Sequence, residues 1–405
     1  MKSIKYIKEQ NQGISAILAF ALLPLSGFAT DIYIPSLPTM AATMQVSSLQ
    51  VQLTLSLFLI SYGVSQLFIG SILDSFGRYK LSLICLLVFA ASSIVIANTQ
   101  NIYLIYLMRI IHGFTVGTVI VAKRAFFVDV YEGDKLKHYL SLFSIIWSTG
   151  PIVAPFVGGY LQTVFGWESN FYLLAGLAVI MAILEYIYSG ETLKKFSVFS
   201  LKKIISVYIE MIRTTSFSLG IIMLGLAYSM VMIYNMTGPF IIEHHFNLTP
   251  VVAGYSSLIL GFAWMVGGFI GKATIDRPFF KKMAANLVLQ MLFVALMILS
   301  ISFISNLYSL IFFAFIIHVT AGYIFNNYFT FCLSKFPRNA GIASGLTGGI
   351  TYVVVSALSY TIISFLPAKD EVNLSASYLV LSIASAIIMY TIYKLSGRTE
   401  SASIG

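Results

Sequence analysis

The sequence predicts an all-α, polytopic membrane protein of about twelve transmembrane helices in two pseudo-symmetric six-helix bundles. Three observations carry that prediction. Of 405 residues 58% are hydrophobic and 10% charged, a balance that a water-soluble chain of this length does not show. Apolar runs long enough to cross a bilayer recur along the whole chain, and they are continuous rather than alternating every second residue, which leaves helices and excludes a β-barrel. The basic residues fall in alternate connecting segments.

The expected spans are 14–34, 49–70, 81–98, 102–126, 138–164, 170–189, 216–240, 250–271, 283–304, 306–333, 341–366 and 376–395. The first run follows Lys2, Lys5 and Lys8 but has no small-residue cleavage site before Asp31, so it reads as a retained helix and not a signal peptide. With the amino terminus in the cytoplasm, inner segments collect Arg78, Lys80, Lys123, Arg124, Lys203, Arg338, Lys394 and Arg398, and outer segments hold only Lys369. Both termini are therefore expected inside. This distribution accounts for the net charge of +9 without a nucleic-acid partner. Cys85 and Cys332 lie in apolar segments without metal or redox spacing and read as packing residues. No cofactor or metal is expected.

The longest polar interruption, with Lys194, Lys195, Lys202 and Lys203, divides the chain into an amino-terminal bundle (1–189), a basic linker (190–215) and a carboxy-terminal bundle (216–405). The linker suits anionic lipid headgroups. Asp74, between the second and third spans, has a counterpart in Asp276 between the eighth and ninth, 202 residues later. Such weak repetition fits transporters built from two related bundles.

Four features interrupt the apolar pattern. Asp31 stands near the outer end of the first span, and Arg109 lies about a third of the way along the fourth, at a similar depth. Each is costly in hydrocarbon unless it faces a cavity or the other. A carboxylate that gains or loses a nearby arginine changes its proton affinity, as proton coupling requires; the alternative is a permanent ion pair fixing the two helices. His112, one turn after Arg109, is a relay candidate or a hydrogen-bonded interior histidine, and His318 and Glu185 read in the second way. In the fifth span, Gly150, Pro151, Pro155, Gly158 and Gly159 predict a bent helix closely apposed to a neighbour. The fourth feature is the charged turn 70–80. There Gly70 would let helices approach, Gly77 would permit the turn, and Asp74 and Arg78 would place opposite charges at helix ends.

The pattern Gly-x-x-x-Asp-x-x-Gly-Arg in that turn resembles the loop between helices two and three of the major facilitator superfamily. Gly-Pro followed by Gly-Gly in the fifth span resembles the motif of its antiporters. Thr30 to Pro38, Arg109 to Gly113, Arg124 to Asp129, Gly166-Trp167 and Glu191-Thr192 are similar to the twelve-span drug:proton antiporters of the bicyclomycin-resistance branch. The second half follows mainly by hydropathy and by Ala340 to Gly345. His112 stands where that family more often has Gln, Val128 where Arg is frequent, and Leu23 where some relatives carry an acid.

The resemblance implies a major facilitator fold and a secondary transporter, not an enzyme. It would export drugs or toxic amphiphiles across the bacterial inner membrane in exchange for protons by alternating access. Asp31, Arg109 and His112 would serve proton coupling, and the turn containing Gly70, Asp74, Gly77 and Arg78 would act as a conformational switch. Tyr33, Tyr234, Asn235, Asn326 and Asn327, from the first, seventh and tenth spans, would line the substrate cavity. Partners are then a small organic substrate, protons and membrane lipids, and the protein a monomer. A dedicated exporter of one metabolite such as a siderophore, a proton-coupled importer, and a channel are the alternatives.

Overall fold

A computed structural model describes residues 5–196, 200–337 and 340–402. Lys2 and Arg338 lie outside the described residues, as do the side chains of Lys203, Ala340 and Arg398. Among the described residues twelve helices are long and apolar enough to cross a membrane. The chain forms two compact units, Met1–Ile204 and Ile205–Gly405, each with six of these spans. In the chain, the boundary between them falls within helix Leu201–Arg213.

The first unit contains spans Glu9–Met44, Ser48–Phe76, Arg78–Ala97, Ile102–Val130, Gly133–Phe165 and Glu168–Tyr188. The second contains Thr215–His245, Pro250–Ala273, Phe279–Ile301, Leu307–Ser334, Gly341–Phe365 and Glu371–Leu395. Inside the first unit the second span packs on the fourth, the third on the fourth and sixth, and the first on the fifth. Inside the second unit the eighth packs on the tenth, the ninth on the tenth and twelfth, and the seventh on the eleventh. The same pairing scheme is thus used twice. Small residues make it possible: a Cβ on Gly113 would lie 2.0 Å from Ser61 Oγ of the second span, and one on Gly322 would lie 2.4 Å from the Trp264 carbonyl of the eighth. Backbone approach of that kind supplies the packing that holds helices together in lipid.

The fifth and twelfth spans begin five residues earlier than expected, at Gly133 and Glu371, and the seventh ends five later, at His245; two further differences bear on the site. The first span is longer than 14–34 and is broken. Helix Gln12–Leu22 ends before Pro24, which cannot donate to the helical ladder; helix Leu25–Asp31 follows, then a 3-10 turn Ile34–Ser36 and helix Leu37–Met44. Asp31 therefore sits inside the membrane-length segment, at a helix end, and not near the outer limit. The turn expected over 70–80 shrinks to one residue. The second span runs through Phe76 and the third begins at Arg78, with Gly77 as the shared cap. The charged side chains ride on helix ends because an i, i+4 pair, Asp74 and Arg78, bridges the break.

Candidate functional site

Arg109 is the most completely enclosed charge in the first unit. Its side chain is fully buried, and Nη1 donates to the Ala29 carbonyl at 2.8 Å while Nε donates to the Thr54 carbonyl at 3.4 Å. The guanidinium carbon lies 4.6 Å from the Tyr33 ring centroid and 4.5 Å from that of Phe58. Carbonyl dipoles and ring faces from the first and second spans thus replace water around the cation. Tyr33 is itself buried, with its hydroxyl 2.8 Å from Thr54 Oγ1 and its ring 5.3 Å from Phe171. Thr54 spends its own proton on the Val51 carbonyl at 2.6 Å, so Tyr33 donates to Thr54.

His112 completes the cluster. Its Nδ1 lies 3.3 Å from Arg109 Nη1 and its Nε2 lies 3.1 Å from Ser93 Oγ. A guanidinium has only donors, so Nδ1 accepts and the ring proton sits on Nε2. Nε2 then donates to Ser93, whose hydroxyl donates to the Phe89 carbonyl at 2.8 Å. His112 in this arrangement is a neutral bracket between the arginine and the third span.

Asp31 is 2% exposed and ends helix Leu25–Asp31, two residues beyond the Ala29 carbonyl that Arg109 grips. The charge of Arg109 acts on it. Against the same segment lies the fifth span, one continuous helix with Pro151 and Pro155 inside it. A Cβ on Gly27 would meet Pro151 Cδ at 2.2 Å, one on Gly150 the Pro24 carbonyl at 2.5 Å, and one on Gly158 the Ile32 carbonyl at 1.6 Å. Trp147 Nε1 donates to Ser26 Oγ at 2.9 Å, and Pro155 and Gly159 are buried on the same helix. The neighbour to which the fifth span is apposed is therefore the helix that carries Asp31.

A second cluster ties together the end of the first unit where the second and third spans join. Arg78 Nη2 donates to Asp74 Oδ1 at 2.8 Å; Nη1 pairs with Asp129 and donates to the Ala125 carbonyl at 3.1 Å. Asp129 accepts from Thr192 Oγ1 at 2.6 Å. Glu191 Oε2 accepts from the Tyr79 backbone at 3.1 Å and Oε1 from the backbones of Thr192 and Leu193 at 3.0 Å. Gly77 adopts φ +95°, and a Cβ there would stand 2.7 Å from Glu191 Oε2, so this glycine is needed for conformation and for room. Gly70 is different. No atom of its own unit lies within 4 Å of an added Cβ, so the close approach expected there is not made. Lys123, counted among loop charges, is instead buried and paired with Glu185 at 2.6 Å.

In the second unit Tyr234 is buried with its ring 5.7 Å from His318, and Asn235 is buried beside it on the seventh span. Asn326 and Asn327 belong to another level: they line a cavity with Gly271, Phe279 and Lys282, about 12 Å farther along the tenth span than His318 at the usual helical rise. The five residues proposed as cavity-lining thus divide, with Tyr33 in the Arg109 cluster and the others at two depths of the second unit.

Asp129, Thr54, Phe58, Ser93 and Glu191 hold these clusters and received no role from sequence, although Asp129 and Glu191 fall in segments similar to the drug:proton antiporters. A separate signal bears on Arg109. Ile110-Ile111-His112 recurs as Ile316-Ile317-His318, which marks the fourth and tenth spans as counterparts and isolates Arg109 as what the second copy lacks.

Among the described residues, twelve membrane-length helices in two units that repeat one pairing scheme define a multi-pass membrane protein. The Major Facilitator Superfamily model matches residues 19–360, and the chain belongs to that family. Over 349 residues it is 28% identical to an uncharacterised MFS-type transporter, YdgK, of Bacillus subtilis, covering 85% of this chain and 87% of that protein. It is 25% identical over 394 residues to multidrug resistance protein MdtL of Shewanella oneidensis, covering 96% and 98%. It is 30% identical over 190 residues to a bicyclomycin resistance protein homolog of Haemophilus influenzae, covering 47% and 48%. Among solved structures the nucleoside transporter NupG superposes with a TM-score of 0.71 at 14% identity, covering 95% of this chain and 99% of that one. That likeness bears on the fold alone.

Proposed function

We propose that this transporter exports small organic molecules, drugs or toxic amphiphiles, across the bacterial inner membrane in exchange for protons. The observation that carries the reading is Asp31, a buried carboxylate at a helix break, within the field of a buried arginine and against the glycine-proline face of the fifth span. A membrane-embedded acid is costly, and residues of this kind mark ion and proton pathways. Any rearrangement that changes its separation from Arg109 changes its proton affinity, and the broken first span offers short segments able to rearrange. The names of the drug-resistance relatives support the substrate class. The basic bias of alternate loops supports both termini in the cytoplasm.

Alternating access supplies the cycle. Substrate and proton each bind one access state better than the other, since a ligand shifts an equilibrium only through differential affinity. The Asp74, Arg78 and Asp129 tie is the element whose closure and release would accompany the switch, and the linker over 190–215 joins the two halves.

The test is Asp31→Asn in proteoliposomes with an imposed pH difference, reading substrate-evoked proton flux across a panel of organic toxicants. Flux should fall by about a hundredfold or more while the purified variant keeps its helical circular dichroism. Coupling retained by the variant would remove Asp31 from the mechanism.

A further inference from the structure

The second unit holds a cavity of about 250 Å3 where the end of the eighth span, the start of the ninth and the end of the tenth converge. One side is aromatic. Phe279 stacks on Phe331 with centroids 5.1 Å apart and planes 19° apart, and Phe280 stands edge-on to Phe279 at 5.4 Å. Another side is polar: Asn326, Thr330 and Ser334 recur every fourth residue of the tenth span, so they share one helical face, and all three are exposed. Thr330 Oγ1 donates to the Asn326 carbonyl at 3.1 Å and Ser334 Oγ to the Phe331 carbonyl at 2.8 Å, so the two hydroxyls present acceptor oxygens to the cavity while the Asn326 amide can donate and accept. Lys282 adds a cation, placed by donation from Nζ to the Thr274 carbonyl at 2.9 Å. Among the described lining residues none is a carboxylate; Asp276, in the adjoining turn, acts on Lys282 without lining the cavity.

The cavity has a structural cause. With Asp74 and Asp276 as counterparts, the position of Arg78 falls on Phe280 and that of Lys80 on Lys282. The side chain that draws the first unit's turn onto Asp129 is replaced by a ring that makes no such tie. At Gly271 an added Cβ would stand 3.0 Å from Asn327 Nδ2 and 3.5 Å from Asn326 Cβ, so glycine keeps the floor clear.

We propose that this cavity binds a compact aromatic molecule carrying a neutral or anionic hydrogen-bonding head, and discriminates against organic cations. The ring body packs on Phe279, Phe280 and Phe331. The head accepts from the Lys282 ammonium and the Asn326 amide, and a head that carries a hydroxyl proton donates it to Thr330 or Ser334. Ring faces alone would accept a cation, but Lys282 decides against one, because no lining carboxylate offsets the repulsion. That the ligand is cargo on its way out rests on the exporter reading; that the cavity binds it does not.

The experiment measures equilibrium binding to the purified full-length protein in nanodiscs of three probes with one bicyclic body: 2-naphthoate, 2-naphthol and (2-naphthylmethyl)trimethylammonium. The naphthoate and the naphthol should bind, and the cation should bind at least about tenfold more weakly. Lys282→Gln should weaken naphthoate by about tenfold and leave naphthol unchanged. At exposed positions that do not empty the core, Asn326→Leu should weaken both by about three- to tenfold, and Thr330→Val should weaken naphthol, whose hydroxyl donates, by about three- to tenfold and naphthoate less. Preferential cation binding, or binding of all three probes unaltered by the three substitutions, overturns the proposal even if the protein exports drugs. Conversely, the expected binding pattern in a protein that moves no solute under a pH difference leaves the site standing and removes the exporter reading.

Discussion

The fourth and tenth spans share an Ile-Ile-His stretch and differ in the residue that precedes it. Arg109-Ile110-Ile111-His112 in one is matched by Phe315-Ile316-Ile317-His318 in the other, and both histidines are buried against rings, His112 at 4.4 Å from Phe89 and His318 at 5.7 Å from Tyr234. One residue separates them. In the first unit a guanidinium gathers the Ala29 and Thr54 carbonyls and the Tyr33 and Phe58 rings; in the second a phenylalanine asks for no such shell. The contrast repeats at the turns, where Arg78 makes a tie and Phe280 leaves a cavity. One scaffold used twice thus places a buried arginine on its fourth span where the tenth has a phenylalanine, and an arginine tie at one turn where the other has an aromatic cavity beside Lys282. On the proposed function, the first half manages protons and the second meets organic cargo.

Substitutions that erase the difference test it, the largest effect coming first. Arg109→Phe makes the fourth span read like the tenth and strips the donor from two buried carbonyls, each a costly loss. Proton-driven transport in proteoliposomes should drop by at least about a hundredfold, and near-normal transport would show that the buried cation is only packing. Asp129→Ser brings the first unit's turn closer to the second's by releasing Arg78 from its less exposed partner. We expect turnover to fall by about tenfold with substrate affinity changed less than about twofold; equal losses in both would make the tie part of the binding site. The glycines of that turn give the smallest and sharpest contrast. Gly77→Ala, at φ +95° and against Glu191, should cost about 1–2 kcal/mol and lower the thermal midpoint. Gly70→Ala, in open space on a helix, should be neutral or stabilise by about 0.5–1 kcal/mol. Thermal unfolding of the two variants side by side checks both, and similar shifts would refute the packing account of the turn.

The apolar runs, the paired halves and the residues of the two charged clusters were legible in the chain because hydrocarbon penalises charge and polar backbone wherever they stand. Asp31, Arg109 and Arg78 announce themselves as exceptions. Their partners do not. Thr54 and Ala29 serve Arg109 through carbonyl oxygens, which every residue possesses, and Glu191 reaches Tyr79 from the far side of four spans. Asn326 and Asn327 look like central cavity residues by type, and only the depth of the tenth span relative to the ninth shows them beside Phe279 and Lys282.

Periodicity and the cost of burying charge, both local properties, sufficed for the amino-acid sequence to determine a twelve-span membrane protein of duplicated build and to mark its few costly side chains, and its motifs pointed to the family. Which oxygen each arginine grips, that the fifth span closes on the Asp31 helix, and that one turn is tied while its counterpart is hollow were decided by the tertiary structure. These depend on distances between segments far apart in the chain, and such distances are set by how helices pack rather than by what any one of them contains.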